Sequence, residues 1–427
     1  MIKTVKKLNN GLKGEITIPA DKSISHRAIM FSSIAEGNCT ISNFSNGADC
    51  RSTLNLFKKL GVEINYIDEK TVYIKSTGRL NPINGNVFDC GNSGTTMRLV
   101  SGILSGQNFD SVLIGDTSLS KRPMKRIIEP LSLMGAKIES TDNHAPLKIC
   151  GQRLHGMEYF SKLSSAQVKS SVLLAGLNAE GKTIYSEIYP SRNHTEIMLK
   201  YLGADIISDD KGVIITPSTL ISKDINIVGD ISSAAFFIAA GLITKGSSFI
   251  IKNVGLNQTR TGILDVVKRM GADIELLNVR KEAGEDVGDI KVQYTENLKS
   301  CEISGKDIPR LIDELPIIAV LASQAEGQTI VKNAEDLRNK ESDRITSLVN
   351  ELKKIGIHIE ETPDGFIVEG KHSIKGGAEL NSCHDHRLAM SFYVSGLISE
   401  KEIGIDGFEW TKISFPEFEE IMSELTD

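Results

Sequence analysis

The sequence predicts an α/β protein of two similar domains, each made of three repeats of one unit, with helices buried inside, sheets outside and two crossover strands joining the domains. Three observations predict this: a unit that recurs six times in 427 residues, two alternating helix types within it, and a chain start that has no unit of its own.

Each unit opens with a polar, Ser-rich turn, continues as an apolar run of small residues, turns, and ends in a strand. The openings stand at Ser23, Ser93, Ser165, Ser232, Asp313 and His386, about 70 residues apart. Runs such as residues 234–243 and 172–177 are apolar nearly all round, which predicts helices buried on every side. Between these runs lies a second half-unit, an amphipathic helix that ends in a glycine and leads into a strand hairpin. It reads LFKKLGVEINYIDEKTVYIK, LSLMGAKIESTDNHAPLKI, LKYLGADIISDDKGVIIT, VVKRMGADIELLNV and LKKIGIHIEETPDGFIV. Gly61, Gly135, Gly203, Gly271 and Gly356 stand where a helix C-terminus favours positive φ.

The sixth unit ends in a helix over residues 415–425 with no hairpin after it. Strand-like stretches over residues 1–8 and 14–19 precede the first helix. Both are therefore expected to complete the last unit, so that the chain starts in the second domain, crosses near residue 20 and returns near 229. The expected domains are residues 20–228, and residues 1–19 with 229–427.

Apolar residues make up 40% and aromatics 5%, so Ala, Leu, Ile and Val must fill the core. A net charge of -6 gives no reason to expect nucleic acid or an anionic membrane as partner, and any anion site must be a local concentration of Lys and Arg. The apolar runs fall short of the ~20 residues of a membrane span, and no apolar leader follows the N-terminal lysines. The expectation is a soluble, cytoplasmic monomer. Cys39, Cys50, Cys90, Cys150, Cys301 and Cys383 form no CxxC pair, which predicts reduced thiols and no zinc ribbon.

One stretch concentrates positive charge. In Asp21-Lys22-Ser23-Ile24-Ser25-His26-Arg27, a helix start would put Lys22, Ser23, His26 and Arg27 on one side of the first turns, capped by Asp21 or Ser23. Cations, hydroxyls and a helix N-terminus together suit phosphate or carboxylate. Farther on, Lys340 and Arg344 are i, i+4 and Glu341 is three before Arg344, which alone reads as a surface ion-pair helix. Asp313 and Glu314 open the fifth inner helix, where acids ordinarily cap. Cys383-His384-Asp385-His386 lacks a second Cys/His pair that would make it a metal set.

The motifs DKSISHR (21–27), GNSGTTMR (91–98), KRPM (121–124), SAQVKS (165–170), SRNHTE (191–196), GDISSA (229–234), NQTR (257–260), DELP (313–316), RNKESDR (338–344) and DHR (385–387) follow one another in this order. With the six units, they make the chain resemble the enolpyruvyl transferases, and among these the members that act on shikimate 3-phosphate. The resemblance covers the whole length and implies two inverse α/β domains, each of three βαβαββ units. It implies addition of the shikimate 3-phosphate 5-hydroxyl to C2 of phosphoenolpyruvate while C3 gains a proton, then elimination of phosphate from a tetrahedral intermediate. No cofactor and no metal are implied.

Carried over motif by motif, the resemblance implies that Lys22, Ser23, Arg27, Ser165, Ala166, Gln167, Ser191, Asp313 and Lys340 contact shikimate 3-phosphate. Ala166 replaces a family serine, so only its N–H can contribute. Phosphoenolpyruvate is expected on Lys22, Gly94, Arg122, Gln167, Arg344 and Arg387. Asp313 is the implied base at the 5-hydroxyl, Glu341 the proton relay at C3, and Lys22 a further proton carrier. Lys412 resembles a family lysine that contacts phosphoenolpyruvate but stands one residue out of register with Phe415-Pro416. For His194, near Ser191, a packing role stands beside a phosphate contact.

Two rival readings have their own signatures. The sister transferase acting on UDP-N-acetylglucosamine carries a reactive Cys in the loop before its Arg-Pro pair and an N-terminal Lys-Asn. Here residues 116–123 contain no Cys, and Lys22 is followed by Ser23. A non-catalytic phosphometabolite-binding protein would need the cations but not the carboxylates Asp313 and Glu341. Because the implied residues divide between the two domains, the site is expected to form on domain closure.

Overall fold

The inner helices are buried because small apolar residues surround their axes. The computed structural model describes residues 2–83, 85–209 and 211–426. The chain folds into two compact units, one of Ala20–Ile227 with Lys281–Glu285, the other of residues up to Pro19, Val228–Arg280 and those from Asp286 on. Helices Lys22–Ser33, Gly94–Ser105 and Ala166–Gly176 lie inside the first unit. Ile231–Ile243, Leu315–Ala322 and His386–Gly396 lie inside the second. Apart from Tyr393, the positions on these helices that are not buried lie in the first turns: Lys22, Ser23, Thr95, Ala166, Gln167, Ser233 and Arg387. An inner helix thus offers its N-terminus, and little else, to a ligand.

Close helix packing depends on glycine at one crossing. A Cβ on Gly102 would lie 2.1 Å from the Ser171 carbonyl oxygen, so Gly94–Ser105 approaches Ala166–Gly176 closer than any side chain permits. The amphipathic helices Ala48–Lys59, Lys125–Leu133, His194–Tyr201, Gly262–Arg269 and Arg344–Lys354 each end just before one of the five predicted glycines. Those glycines have φ between 81° and 97°.

Among the described residues the strands form six sheets. The second sheet shows the pattern: Val87–Asp89 runs parallel to the central Ser111–Ile114, whose other edge takes the antiparallel hairpin His144–Cys150 and Lys137–Thr141. The crossovers modify this pattern by exchanging strands. Lys13–Thr17 leads into the first inner helix but pairs with Ser248–Gly255 of the fourth repeat. Leu220–Ile221 and Ile225–Asn226 lead into the fourth inner helix but pair with Ala35–Ser42 of the first.

This corrects the expectation that both N-terminal strands complete the last repeat. Ile2–Val5 does so, pairing with Ile403–Asp406, which is also paired with Glu379–Asn381. The second N-terminal strand completes the fourth repeat instead, because the strand that should open that sheet is used in the first, leaving the edge of Ser248–Gly255 open for Lys13–Thr17. Met1, expected from the sequence to belong to the first strand, lies outside the described residues.

Candidate active site

In the unit Ala20–Ile227, Asp21 rather than Ser23 caps the first inner helix: its Oδ1 accepts the Ile24 N–H at 2.8 Å. Lys22, one-third exposed, pairs with Asp49. Burial pushes the Asp49 carboxyl up, but Lys22, His26 and Arg122 outweigh it and hold the group below the usual carboxylate range. Arg27 is buried and donates from Nε to Thr195 Oγ1 (2.8 Å), from Nη2 to Ser170 Oγ (2.9 Å) and from Nη1 to the Ser23 carbonyl (3.0 Å).

The expected grouping of four side chains on one face is corrected at His26. An inner helix is enclosed from its second turn on, so His26 points inward, with Nδ1 2.7 Å from Thr53 Oγ1. Burial first, then Lys22 and Arg27, lower its pKa to about 3 against the opposing pull of Asp49. A neutral imidazole there cannot bind an anion by charge. Instead it joins a hydroxyl chain: Thr53 Oγ1 lies 2.6 Å from Thr96 Oγ1, which donates to Ser93 Oγ at 2.7 Å.

Ser93 caps the second inner helix, accepting the Thr96 N–H at 3.1 Å, and Gly94 is that helix's first residue. A Cβ at Gly94 would lie 2.9 Å from Arg98 Nη1 and 3.5 Å from Arg122 Nη1, so two guanidiniums close on this N-terminus. Arg98 Nη1 donates to Gln167 Oε1 at 2.6 Å, and Gln167 Nε2 donates to Thr95 Oγ1 at 3.1 Å. Arg122 Nη2 donates to Asn92 Oδ1 at 2.8 Å. Burial, then the guanidiniums of Arg126 and Arg122, bring Arg98 down to about 9. Crowded positive charge at a helix N-terminus is an environment that an arriving anion relieves.

Ser165 occupies the N-cap position of Ala166–Gly176, and its hydroxyl makes no capping bond. Ser191 is buried, its N–H and Oγ both donating to Glu187 Oε1 at 2.6 and 2.8 Å. Beneath it the buried Lys169 Nζ lies 3.2 Å from Glu187 and 2.8 Å from Glu196, and donates to the Ser191 carbonyl at 3.0 Å. Of the two roles open to His194 the packing one fits its position: it is buried, with Nδ1 2.6 Å from Glu285 Oε1.

The second unit gathers the expected carboxylates and their cations. Asp313 Oδ1 accepts from Lys340 Nζ at 3.3 Å and Arg344 Nη1 at 3.4 Å, and its carbonyl accepts from Arg387 Nη1 at 3.3 Å. Arg344, 1% exposed, also donates to Glu341 Oε2 (Nη2, 2.6 Å) and Asp385 Oδ2 (Nε, 2.6 Å). Although burial disfavours its charge, Asp385, Glu341 and Asp313 together hold Arg344 protonated far above the ordinary range. The Glu341 side chain stays partly exposed; desolvation among its neighbours pushes its carboxyl up, but Arg344, His386 and Lys340 prevail and keep it well below the usual range.

The surface ion-pair helix that the spacing of Lys340 and Arg344 suggests when taken alone does not form. Residues Glu335–Asn339 form a 3-10 turn, and Asp343 caps the helix Arg344–Lys354 by accepting the Thr346 N–H at 3.1 Å, so Lys340 and Glu341 precede the helix. Lys340 and Arg344 still meet, at Asp313. Of the remaining residues, Lys412 is exposed on the 3-10 segment Phe408–Ile413. His384 stacks on Trp410 at 4.8 Å, and Asp385 caps the inner helix His386–Gly396.

Three residues beside these sets were given no place in the site by the sequence; one of them, Glu314, was read as a cap and stands at the N-cap of Leu315–Ala322 without a side-chain capping bond. Arg98 ends GNSGTTMR, and Asp385 precedes Arg387 in DHR, so both stand within recognised motifs. Glu314 is buried, accepts from Ser232 Oγ and lies 3.9 Å from Arg387 Nη1. Ser232 Oγ also accepts from Arg260 Nη2 at 2.7 Å, which links GDISSA, NQTR and DELP through side chains.

The sequence profile of EPSP synthase (3-phosphoshikimate 1-carboxyvinyltransferase) matches residues 6–422. A curated 3-phosphoshikimate 1-carboxyvinyltransferase of Petrotoga mobilis is 49% identical over 420 residues, 97% of each chain. Another, of Alkaliphilus metalliredigens, is 50% identical over 413 residues, 96% of each. The solved EPSP synthase of Acinetobacter baumannii is 43% identical with a TM-score of 0.90, over 99% of this chain and 98% of that one. The enolpyruvyl transferase NikO of Streptomyces tendae, at 17% identity and a TM-score of 0.81 over 99% of this chain and 97% of that one, shares the fold. The architecture is therefore that of the enolpyruvyl transferases, two α/β units of repeated sheets around inner helices. Within that class, the chain belongs to the EPSP synthase family.

Proposed function

We propose that this chain transfers the enolpyruvyl group of phosphoenolpyruvate to the 5-hydroxyl of shikimate 3-phosphate and releases phosphate through a tetrahedral intermediate. The observation that carries the reading is the contiguous set Asp313, Lys340, Glu341, Arg344 and Arg387, in which two carboxylates stand among three cations. Asp313 takes the hydroxyl proton, with Lys340 and Arg344 steadying its charge. Arg344 and Arg387 receive the phosphoenolpyruvate carboxylate.

The same geometry supplies a way to ready Glu341. Without substrate, Arg344 holds it as an anion at 2.6 Å. A substrate carboxylate that engages Arg344 competes for the same guanidinium, weakening that hold and raising the Glu341 pKa toward the range of a proton donor to C3. Lys22, Gly94, Arg122 and Gln167 take the phosphoenolpyruvate phosphate, while Lys22, Ser23, Arg27, Ser165, Ala166, Gln167 and Ser191 take shikimate 3-phosphate with Lys340. The chemistry needs both sets of groups on one substrate pair, so closure of the domains on the substrates is part of this proposal; scattering curves that do not change with both substrates would contradict it. The same reading places the reaction in the cytoplasm, where free thiols stay reduced, and in a monomer.

Phosphate release from phosphoenolpyruvate tests the assignment, with shikimate 3-phosphate and UDP-N-acetylglucosamine compared as acceptors and Asp313→Ala as control. Release with shikimate 3-phosphate alone, lost in the variant, is expected. Release with neither acceptor, despite tight binding of both substrates, would reduce the chain to a binding protein.

A further inference from the structure

A second cluster of chemistry-bearing side chains lies away from the residues assigned above, on the sheet of the fifth repeat. His358–Thr362 is the edge strand of that sheet and pairs antiparallel with Gly365–Glu369, placing His358 directly opposite Glu369. After the second strand the chain turns back at Lys371, whose φ is 64°. The turn is pinned by the Gly370 N–H on the Gly327 carbonyl (3.0 Å) and the Lys371 N–H on the Ser323 carbonyl (2.9 Å). His372 is thereby set against His358, with ring centroids 4.2 Å apart and planes 31° from parallel. His358 Nδ1 lies 3.8 Å from Glu369 Oε2. One ligand atom from each of the three exposed residues falls within 4.8 Å of the others.

We propose that His358, Glu369 and His372 form a surface site for a late first-row divalent cation such as Zn2+, Ni2+ or Cu2+. Two imidazole nitrogens and one carboxylate oxygen select these ions over Mg2+ and Ca2+, which prefer oxygen ligands. Bond lengths of about 2.0–2.1 Å in a tetrahedral site require ligand atoms roughly 3.3 Å apart. Small side-chain rotations close the present spacing, and exposed side chains on a fixed backbone can make them. Water fills the remaining positions. The bound ion clips the edge strand to the segment that follows Gly365–Glu369, and takes no part in the enolpyruvyl transfer.

The test uses the untagged full chain and Zn2+ alone in isothermal titration calorimetry, followed by Cu2+ in electron paramagnetic resonance. A single saturable Zn2+ site is expected in the parent chain. Its heat disappears in His358→Asn/His372→Asn and is reduced in Glu369→Gln. The Cu2+ spectrum of the parent shows coupling to two nitrogens, and each single histidine variant loses one. Because the side chains are exposed, the variants keep the parental thermal midpoint without metal and its turnover, while the Zn2+-induced rise in midpoint is lost. Absence of a saturable site, or a site and a two-nitrogen spectrum that persist in the double variant, would overturn the proposal.

Discussion

Arg344 touches three carboxylates at once, and each contact makes a different demand on the side chain. Asp385 holds it through Nε and, at 3.4 Å, through Nη2, while Glu341 accepts from Nη2 and Asp313 from Nη1. On the proposed reading Asp385 is a positioning residue, and Asp385→Asn keeps the helix cap while removing the charge. We expect its KM for phosphoenolpyruvate to rise by about tenfold with a smaller change in kcat, the size expected when a charge-assisted bond is weakened. A fall in kcat alone would contradict this role. Buried histidines set the pH response. His26 and His386 are lowered to about 3 and about 4, chiefly by burial, so both remain neutral in the fold while the unfolded chain protonates them below about 6.5. Their contribution is full above pH 6.5 and is lost as pH falls toward those values, at about 1.4 kcal/mol per pH unit for each histidine. Urea midpoints measured between pH 7 and 4.5 should therefore fall, and less steeply in His26→Asn. The sequence made the types and spacing at these positions readable, but not which way a side chain turns. His26 follows Lys22 by one turn and looks equivalent to it; only enclosure of the inner helix separates the partly exposed ammonium from a buried neutral ring.

Helices were the most legible elements, because the apolar-all-round and amphipathic types alternate and glycines end the second kind. Their packing was less so. Gly102 looks in sequence like one more small residue in an apolar run, yet it sits at a helix crossing that leaves no room for a Cβ. Gly102→Ala places a Cβ 2.1 Å from a backbone oxygen, which must shift the helix Ala166–Gly176 that carries Gln167 near its start. We expect a loss of about 1–3 kcal/mol in urea unfolding, the usual range for overpacking, together with a weaker affinity for phosphoenolpyruvate. A neutral outcome would mean that the two helices separate freely. RNKESDR shows the opposite failure. Its i, i+4 spacing reads as one helix, but Asp343 accepts a backbone N–H and starts the helix at Arg344, because a capping bond close to the helix start outweighs side-chain spacing.

Across the whole chain, the repeat was legible in the sequence down to its missing hairpin, whereas the exchange of strands was not. Lys13–Thr17 could pair with either end of the second unit, and its five residues, with Ile16 the one buried side chain, do not decide between them. What decides is which sheet has lost its own first strand. That topology predicts unequal independence: residues 20–227 contain every strand of their own sheets, while residues 228–427 lack Ile2–Val5 and Lys13–Thr17. Expressed alone, the first fragment should unfold cooperatively in urea, and the second should do so only when residues 1–19 are supplied. Cooperative folding of 228–427 unaided would refute the exchange as a requirement of the fold. The central claim, that carboxylates of the Asp313–Glu341 set carry out the proton transfers of an addition-elimination, is met most directly by following solvent deuterium into C3 of phosphoenolpyruvate. Reversible addition makes C3 a methyl group and its reversal returns a labelled vinyl carbon, so label should enter in the parent chain when shikimate 3-phosphate is present and be strongly suppressed in Glu341→Gln. Label entering at the parental rate in that variant would contradict the account.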